Sequence, residues 1–187
     1  LRSVGTQVFY GISADAKGFP GLQAMVNSDY VVDATGSTAN SAHSAYAVKL
    51  GDRDVSLVFG NGTPFELSPW REETLVDANG KKFPGEVADL CSWVGLQNAS
   101  AHSVGRIKNL TAQTGKGLTD ALVAKLLSQM KVKPDVLFIN RTAAYELQVS
   151  RTVTISTSSK DKADGSLMGF APQPVESNGV RIVVTDQ

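Results

Sequence analysis

Cysteine is almost missing from this chain. Cys91 stands alone among 187 residues, so no internal disulfide can form, and a reducing compartment fits. Histidine is nearly as scarce. His43 and His102 lie far apart, and neither has a second His or Cys at ligand spacing; metal sites need clustered donors, so no metal site is expected. Neither sign of charge is in excess: eighteen basic residues balance eighteen acidic ones, with no long like-charge run. That leaves no electrostatic footprint for nucleic acid or anionic lipid. No apolar run approaches the roughly 20 residues of a membrane-spanning helix. What the chain does have is 42% apolar residues, enough for one sizeable core with room for a small appended subdomain.

The motifs that would carry chemistry fail on inspection. "TAQTGKGLTD" resembles a phosphate loop in outline. That loop needs Gly, four residues, then Gly-Lys-Ser/Thr; here the earlier Gly position is Leu110 and Gly117 follows Lys116. A flexible lead into a helix is the simpler reading. Asp52 and Asp54 flank Arg53 and read as solvated turn residues. "DANGKKFPGE" offers Asp77 and Glu86 without the alternating oxygen ligands of a calcium loop. Cys91 sits in an apolar, strand-like stretch, where a buried, inert thiol is expected rather than a nucleophile. Trp70, Trp93, Phe59, Phe65 and Phe83 would suit a stacking platform for bases or sugars, but strand aromatics are more commonly core. Four Asn-x-Ser/Thr triplets, at Asn61, Asn98, Asn109 and Asn140, read as a product of a chain rich in Asn, Ser and Thr rather than as glycan acceptors. No catalytic residue, cofactor-binding residue or metal ligand is assigned.

The pattern along the chain predicts mixed α+β structure. Residues 1–44, rich in Gly and Ser, read as irregular with short strands. "AYAVKL" and "VSLVF" flank Gly51-Asp52-Arg53 and predict a hairpin. Asn61-Gly62 and Asn79-Gly80 mark two more hairpin turns, because Asn-Gly tolerates positive φ. "VADLCSWVGLQ" reads as one longer strand, so residues 45–110 form an antiparallel β region. Leu122, Val123, Leu126, Leu127 and Met130 then recur at helical spacing, with Thr119 as N-cap and Asp120 in the first turn. "DVLFI" predicts a strand covered on both faces. Asn140 is the candidate cap of a second helix, with Ala144, Leu147 and Tyr145 as its inward residues. A polar loop, "SKDKADG", a turn at Asn178-Gly179 and a strand from Val180 to Thr185 complete an α/β unit. The start at Leu1 rather than Met, and the strand-like end, read as cuts through a longer polypeptide.

Taken in order, these stretches resemble the tailed-bacteriophage major capsid proteins. "VFYGISADAKGFPGL" resembles the segment after the long spine helix of that family. "VVDATGST", "AYAVKLGDRDVSLVFGNG", "LVDANGKKFPGEVADLCSWVGLQ", "VGRIKNL" and "FINRTAAYELQVSRT" continue the likeness, and "NGVRIVVTDQ" looks like the closing strand. Asn140-Arg141-Thr142 is the best single match. The resemblance implies the Hong Kong 97-type capsid fold: residues 1–44 as a connecting segment after the spine helix, 45–110 as an antiparallel β insertion, and 111–187 as the α/β core of the axial domain. The opening glycines are then structural hinges. The family's N-terminal arm, extended loop and spine helix are expected before Leu1, and a final peripheral strand after Gln187. It also implies a non-enzymatic shell subunit without a cofactor, in the virion, assembled in the bacterial host cytoplasm. Its partners are other copies in pentamers and hexamers, together with scaffolding, portal or decoration proteins. It encloses DNA without sequence-specific contact and meets no membrane. The alternatives are a ligand- or carbohydrate-binding β-rich module of a phage or cell surface, and an enzyme using Cys91.

Overall fold

The structure, a computed structural model, describes residues 2–12, 18–38, 41–60, 65–158 and 172–185, with backbone alone for 2, 3 and 152–158. The elements run α1 (Arg2–Tyr10), α2 (Leu22–Met25), a short 3-10 turn (Ser28–Tyr30), β1 (Val31–Asp33), β2 (His43–Val48), β3 (Val55–Phe59), β4 (Glu66–Leu67), β5 (Arg71–Val76), β6 (Lys82–Val87), β7 (Leu90–Cys91), β8 (Val94–Asn98), β9 (Val104–Leu110), α3 (Asp120–Gln129), β10 (Val136–Asn140), α4 (Arg141–Ser158), β11 (Glu176–Ser177) and β12 (Val180–Thr185). The class is α+β, as the pattern predicts.

The chain divides into two compact units, Leu1–Ser56 with Leu96–Gln187, and Leu57–Gly95. Residues 45–56 and 96–110 belong to the first of these units. β2 and β9 lie inside the six-stranded sheet of the main unit, whose order is β1-β9-β2-β10-β12-β11. β2 runs antiparallel to both β9 and β10, so the expected hairpin of residues 45–50 with 55–59 does not form. The reason is burial. Ala45 and Ala47 face one core cluster while Tyr46 and Val48 face the other, and a strand covered on both sides belongs in the middle of a sheet.

The two clusters lie on opposite faces of that sheet. The first joins Ile107, Leu110, Leu137, Ile139, Val180 and Ile182 of the strands to Val123 and Leu126 of α3 and Ala143, Ala144 and Leu147 of α4. Leu122 and Leu127 pack against it half-buried. Gly105 of β9 belongs to this contact: a Cβ there would meet Met130 Sδ at 2.7 Å and Leu126 Cδ1 at 3.1 Å, so glycine lets α3 lie close. The second cluster holds Phe9, Leu22, Tyr46, Val48, Val55 and Val104, with Phe138 of β10 against it. β10 is thus covered on both faces, as its unbroken apolar run predicts.

Local signals set the helix starts. Thr119 Oγ1 accepts from Leu122 N at 3.3 Å, and Asn140 Oδ1 accepts from Ala143 N at 2.8 Å, each replacing a bond that the first helical turn lacks. Inward Ala144 and Leu147 are buried, but Tyr145 is 58% exposed. Residues 2–10 are helical rather than irregular. Gly5 is a poor helix former, but packing of Phe9 and Val8 outweighs a propensity cost of about 1 kcal/mol. β9 carries an irregularity where His43 pairs with Leu110 and Ala45 with Ile107. Asn109 takes a positive φ of 59° there, a conformation that Asn tolerates better than most residues.

The unit 57–95 is built differently. β4 pairs with β7 and β5 with β6, each as a two-stranded ladder. The β5–β6 turn falls at Asn79-Gly80 as expected, but only Gly80 takes a positive φ, of 81°; the turn is a longer loop over residues 77–81 rather than the two-residue type I′ turn, with Asp77 Oδ1 accepting from the amides of Asn79 and Lys81, each at 2.8 Å. The single strand expected across "VADLCSWVGLQ" is instead two, β7 and β8. The Asn61-Gly62 turn and the "SKDKADG" loop lie outside the described residues.

Candidate assembly surface

The candidate chemistry-bearing residues are dispersed by the fold. His43 Nε2 lies 3.2 Å from Glu146 Oε2, whereas His102 Nδ1 lies 2.6 Å from the Tyr30 hydroxyl. Asp54 accepts from Ser103 Oγ. Asp77 caps its own turn. Glu86 stands opposite Glu72 in the β5–β6 ladder. Among the described residues no three His, Cys, Asp or Glu side chains gather to hold a metal ion.

The glycine-rich stretch before α3 serves the chain itself. Lys116 Nζ donates to Thr35 Oγ1. The amide of Leu118, which a phosphate would need, donates instead to Glu146 Oε2 at 2.9 Å. A Cβ at Gly117 would come 3.0 Å from Glu146 Cδ, so the loop closes over that carboxylate. Glu146 and His43 are each about nine-tenths buried. One carboxylate thereby ties α4, the loop before α3 and the start of β2 together.

A second polar clamp was not foreseen from sequence. Arg151 of α4 donates Nε and Nη2 to the two oxygens of Asp120, at 2.8 and 2.7 Å, and Nη2 also reaches the Glu176 carbonyl at 2.7 Å. Ser177 Oγ donates to the same carboxylate. The Arg151 bonds, chiefly, hold the Asp120 carboxyl below its usual range. A charged pair separated by 31 residues leaves no local pattern to read.

The surface is where expectation and structure part. Cys91, expected buried, is exposed, because β7 is a two-residue strand paired only with β4. The aromatics read as core are exposed too: Trp70 is 69% and Trp93 67% accessible, and Phe59, Phe65 and Phe83 each stand at least 40% open. All five lie in 57–95, with Leu67 and Leu90 as open as the tryptophans. Two-stranded ladders have no second layer to cover them. On the β5–β6 hairpin Leu75 pairs with Phe83, and a Cβ at Gly85 would meet Leu75 Cδ1 at 2.5 Å. Leu75, Phe83 and Val87 thus share one face of the hairpin with the Arg71–Glu73 pair, while Glu72, Val76 and Glu86 lie on the other. A concentration of exposed large apolar side chains in one short unit points to association.

The family comparison agrees. The model of the family described as Major capsid protein GP7 matches residues 2–182. The chain belongs to that family. No curated protein matches it. As a major capsid protein it is a structural subunit of a phage capsid, it associates with its own kind into the shell, and its place is the virion. Among the described residues no helix is long and apolar enough to cross a membrane.

The exposed apolar surface fits the major capsid protein better than a binding cleft would, since a shell subunit works through contact area. A signal for it was present in the sequence. "SPWREETL" and "GKKFPGEV" set aromatics among charges and prolines rather than in the alternation of a covered strand.

Proposed function

We propose that this capsid subunit has the Hong Kong 97-type fold and assembles into pentamers and hexamers around the phage genome, in the bacterial host cytoplasm. The observation that carries the reading is the family match across nearly the whole chain. The element order supports it: a helix ending at Tyr10 precedes the Gly-Phe-Pro-Gly-Leu stretch of residues 18–22. The helix, strand, helix and strand of residues 120–185 are compatible with the element order of an axial-domain core. In this reading residues 1–44 are the connection from the spine helix and lend β1 to the sheet, the rest of the six-stranded sheet with α3 and α4 is the axial domain, and 57–95 is an insertion. Scaffolding, portal or decoration proteins are its further partners. DNA is enclosed without sequence-specific contacts, in keeping with zero formal net charge. The subunit performs no catalysis.

Expression of the complete open reading frame tests this, with its scaffold and protease where the phage encodes them. Light scattering and electron microscopy are expected to show closed shells with five- and six-fold clusters. A chain that stays monomeric under every condition, or particles without such clusters, would overturn the proposal.

A further inference from the structure

We infer that residues 57–95 form a docking arm that seats on the main unit of a neighbouring copy of this chain, and not on the neighbour's own arm. The inference rests on the shell reading above, and it names the partner of the apolar surface.

Three observations lead there. The first is where the uncovered apolar side chains are. Phe65, Leu67, Trp70, Phe83, Leu90 and Trp93 are all exposed within one 39-residue unit, whereas most large apolar residues of α3 and the sheet are packed in two clusters and the exposed ones of the main unit, such as Ile12, Tyr145 and Val175, are scattered along its sequence. The second is the architecture. Isolated two-stranded hairpins are marginal in water and need a further strand, helix or surface against them, and β4–β7 and β5–β6 are two such ladders.

The third is charge, which selects the partner. Residues 57–95 hold six carboxylates (Glu66, Glu72, Glu73, Asp77, Glu86 and Asp89) and three cations (Arg71, Lys81 and Lys82), a net of −3. The whole chain has a formal charge of zero, so the remainder carries +3. Arm against arm would bring −3 to −3, with Glu72 and Glu86 already opposed within each hairpin, and like charges brought together are repelled. Arm against main unit joins opposite signs and covers the exposed apolar side chains. Such a contact uses different surfaces on the two copies. Repeated around an axis it closes rings, the arrangement that capsomers require.

Cys91 supplies the test, being the sole cysteine and exposed on the arm. The full-length protein, prepared as unlabelled and 15N-labelled pools, is modified at Cys91 with a thiol-directed photocrosslinker. The pools are mixed, assembled, irradiated and analysed by mass spectrometry. Isotopically mixed products joining Cys91 to residues 2–56 or 96–185 are expected. Mixed products joining arm to arm, or products confined to one copy, would overturn the inference. In parallel, Leu90→Asp places a charge in the docking face. It is expected to raise the concentration needed for assembly by at least about tenfold, as for loss of about 1.4 kcal/mol of contact, with circular dichroism and thermal midpoint of the unassembled protein unchanged. Normal assembly by Leu90→Asp would overturn the docking arm while leaving the shell reading intact. A wild-type chain that never assembles would overturn both.

Discussion

The two units of this chain solve the same problem in opposite ways. The main unit buries most of its large apolar side chains against each other: Leu126, Leu137 and Leu147 are fully covered by their own chain. The arm carries apolar side chains of similar size and leaves them open, with Trp70 and Leu90 each about two-thirds exposed. Hydrophobic content is therefore not what separates a core from an assembly surface. The number of layers is. A strand in a six-stranded sheet with helices on its faces is covered, and a strand in a two-stranded ladder is half open whatever its sequence.

The comparison is most easily broken by truncation on each side. Leu126→Ala in the main unit is expected to cost about 2–5 kcal/mol, the range for a buried leucine that leaves a cavity, whereas Phe83→Ala in the arm should cost under about 1 kcal/mol in the unassembled protein. Chemical denaturation of both variants measures this, and equal losses would erase the distinction between the units. A smaller effect is expected from Glu146→Ala. It leaves the Leu118 amide without its acceptor and His43 without its partner, so about 1–3 kcal/mol should be lost. Glu146→Gln, which keeps an acceptor, should lose less. Asn140→Ala removes the cap of α4 and should cost about 1 kcal/mol, seen as a lower thermal midpoint.

The smallest effect concerns pH. The Arg151 bonds depress the Asp120 carboxyl in the folded state, so the unfolded chain takes up a proton there first as acid is added. The stability contributed by this pair is complete above the usual carboxylate range and is lost as pH falls through that range and below it. Both side chains are partly exposed, which keeps the effect under about 1 kcal/mol. Asp120→Asn should flatten the acid limb of a stability–pH curve, and an unchanged limb would show that the clamp contributes nothing.

What was legible in the sequence was local. The stripe of α3 with its Thr119 cap, the Asn140 cap, the Asn79-Gly80 turn and the final strand at Val180–Thr185 each depend on neighbours within a few positions. Strand pairing was not legible: "AYAVKL" joins residues near 105 and 137, and nothing in its own pattern selects those over the nearby "VSLVF". Exposure of the aromatics was missed for a related reason. The charges and prolines around Trp70 and Phe83 argue against a covered strand, but the surface that would cover or spare them is not written in those segments. The helix at residues 2–10 was hidden by its glycine and by Phe9, whose cover comes from Tyr46 and Phe138.

The arm begins and ends at one place. Ala99 N donates to the Asp54 carbonyl at 2.8 Å, and a few residues further along Gly60 N donates to the Trp93 carbonyl at 2.7 Å. A polypeptide that leaves a fold and re-enters beside its own exit pays little closure entropy for whatever lies between, since that cost grows only with the logarithm of length. The stretch between those bonds is therefore a natural splice port. Longer hairpins, shorter turns or foreign display peptides can be exchanged there between related phages or by an engineer, with the six-stranded sheet left in register.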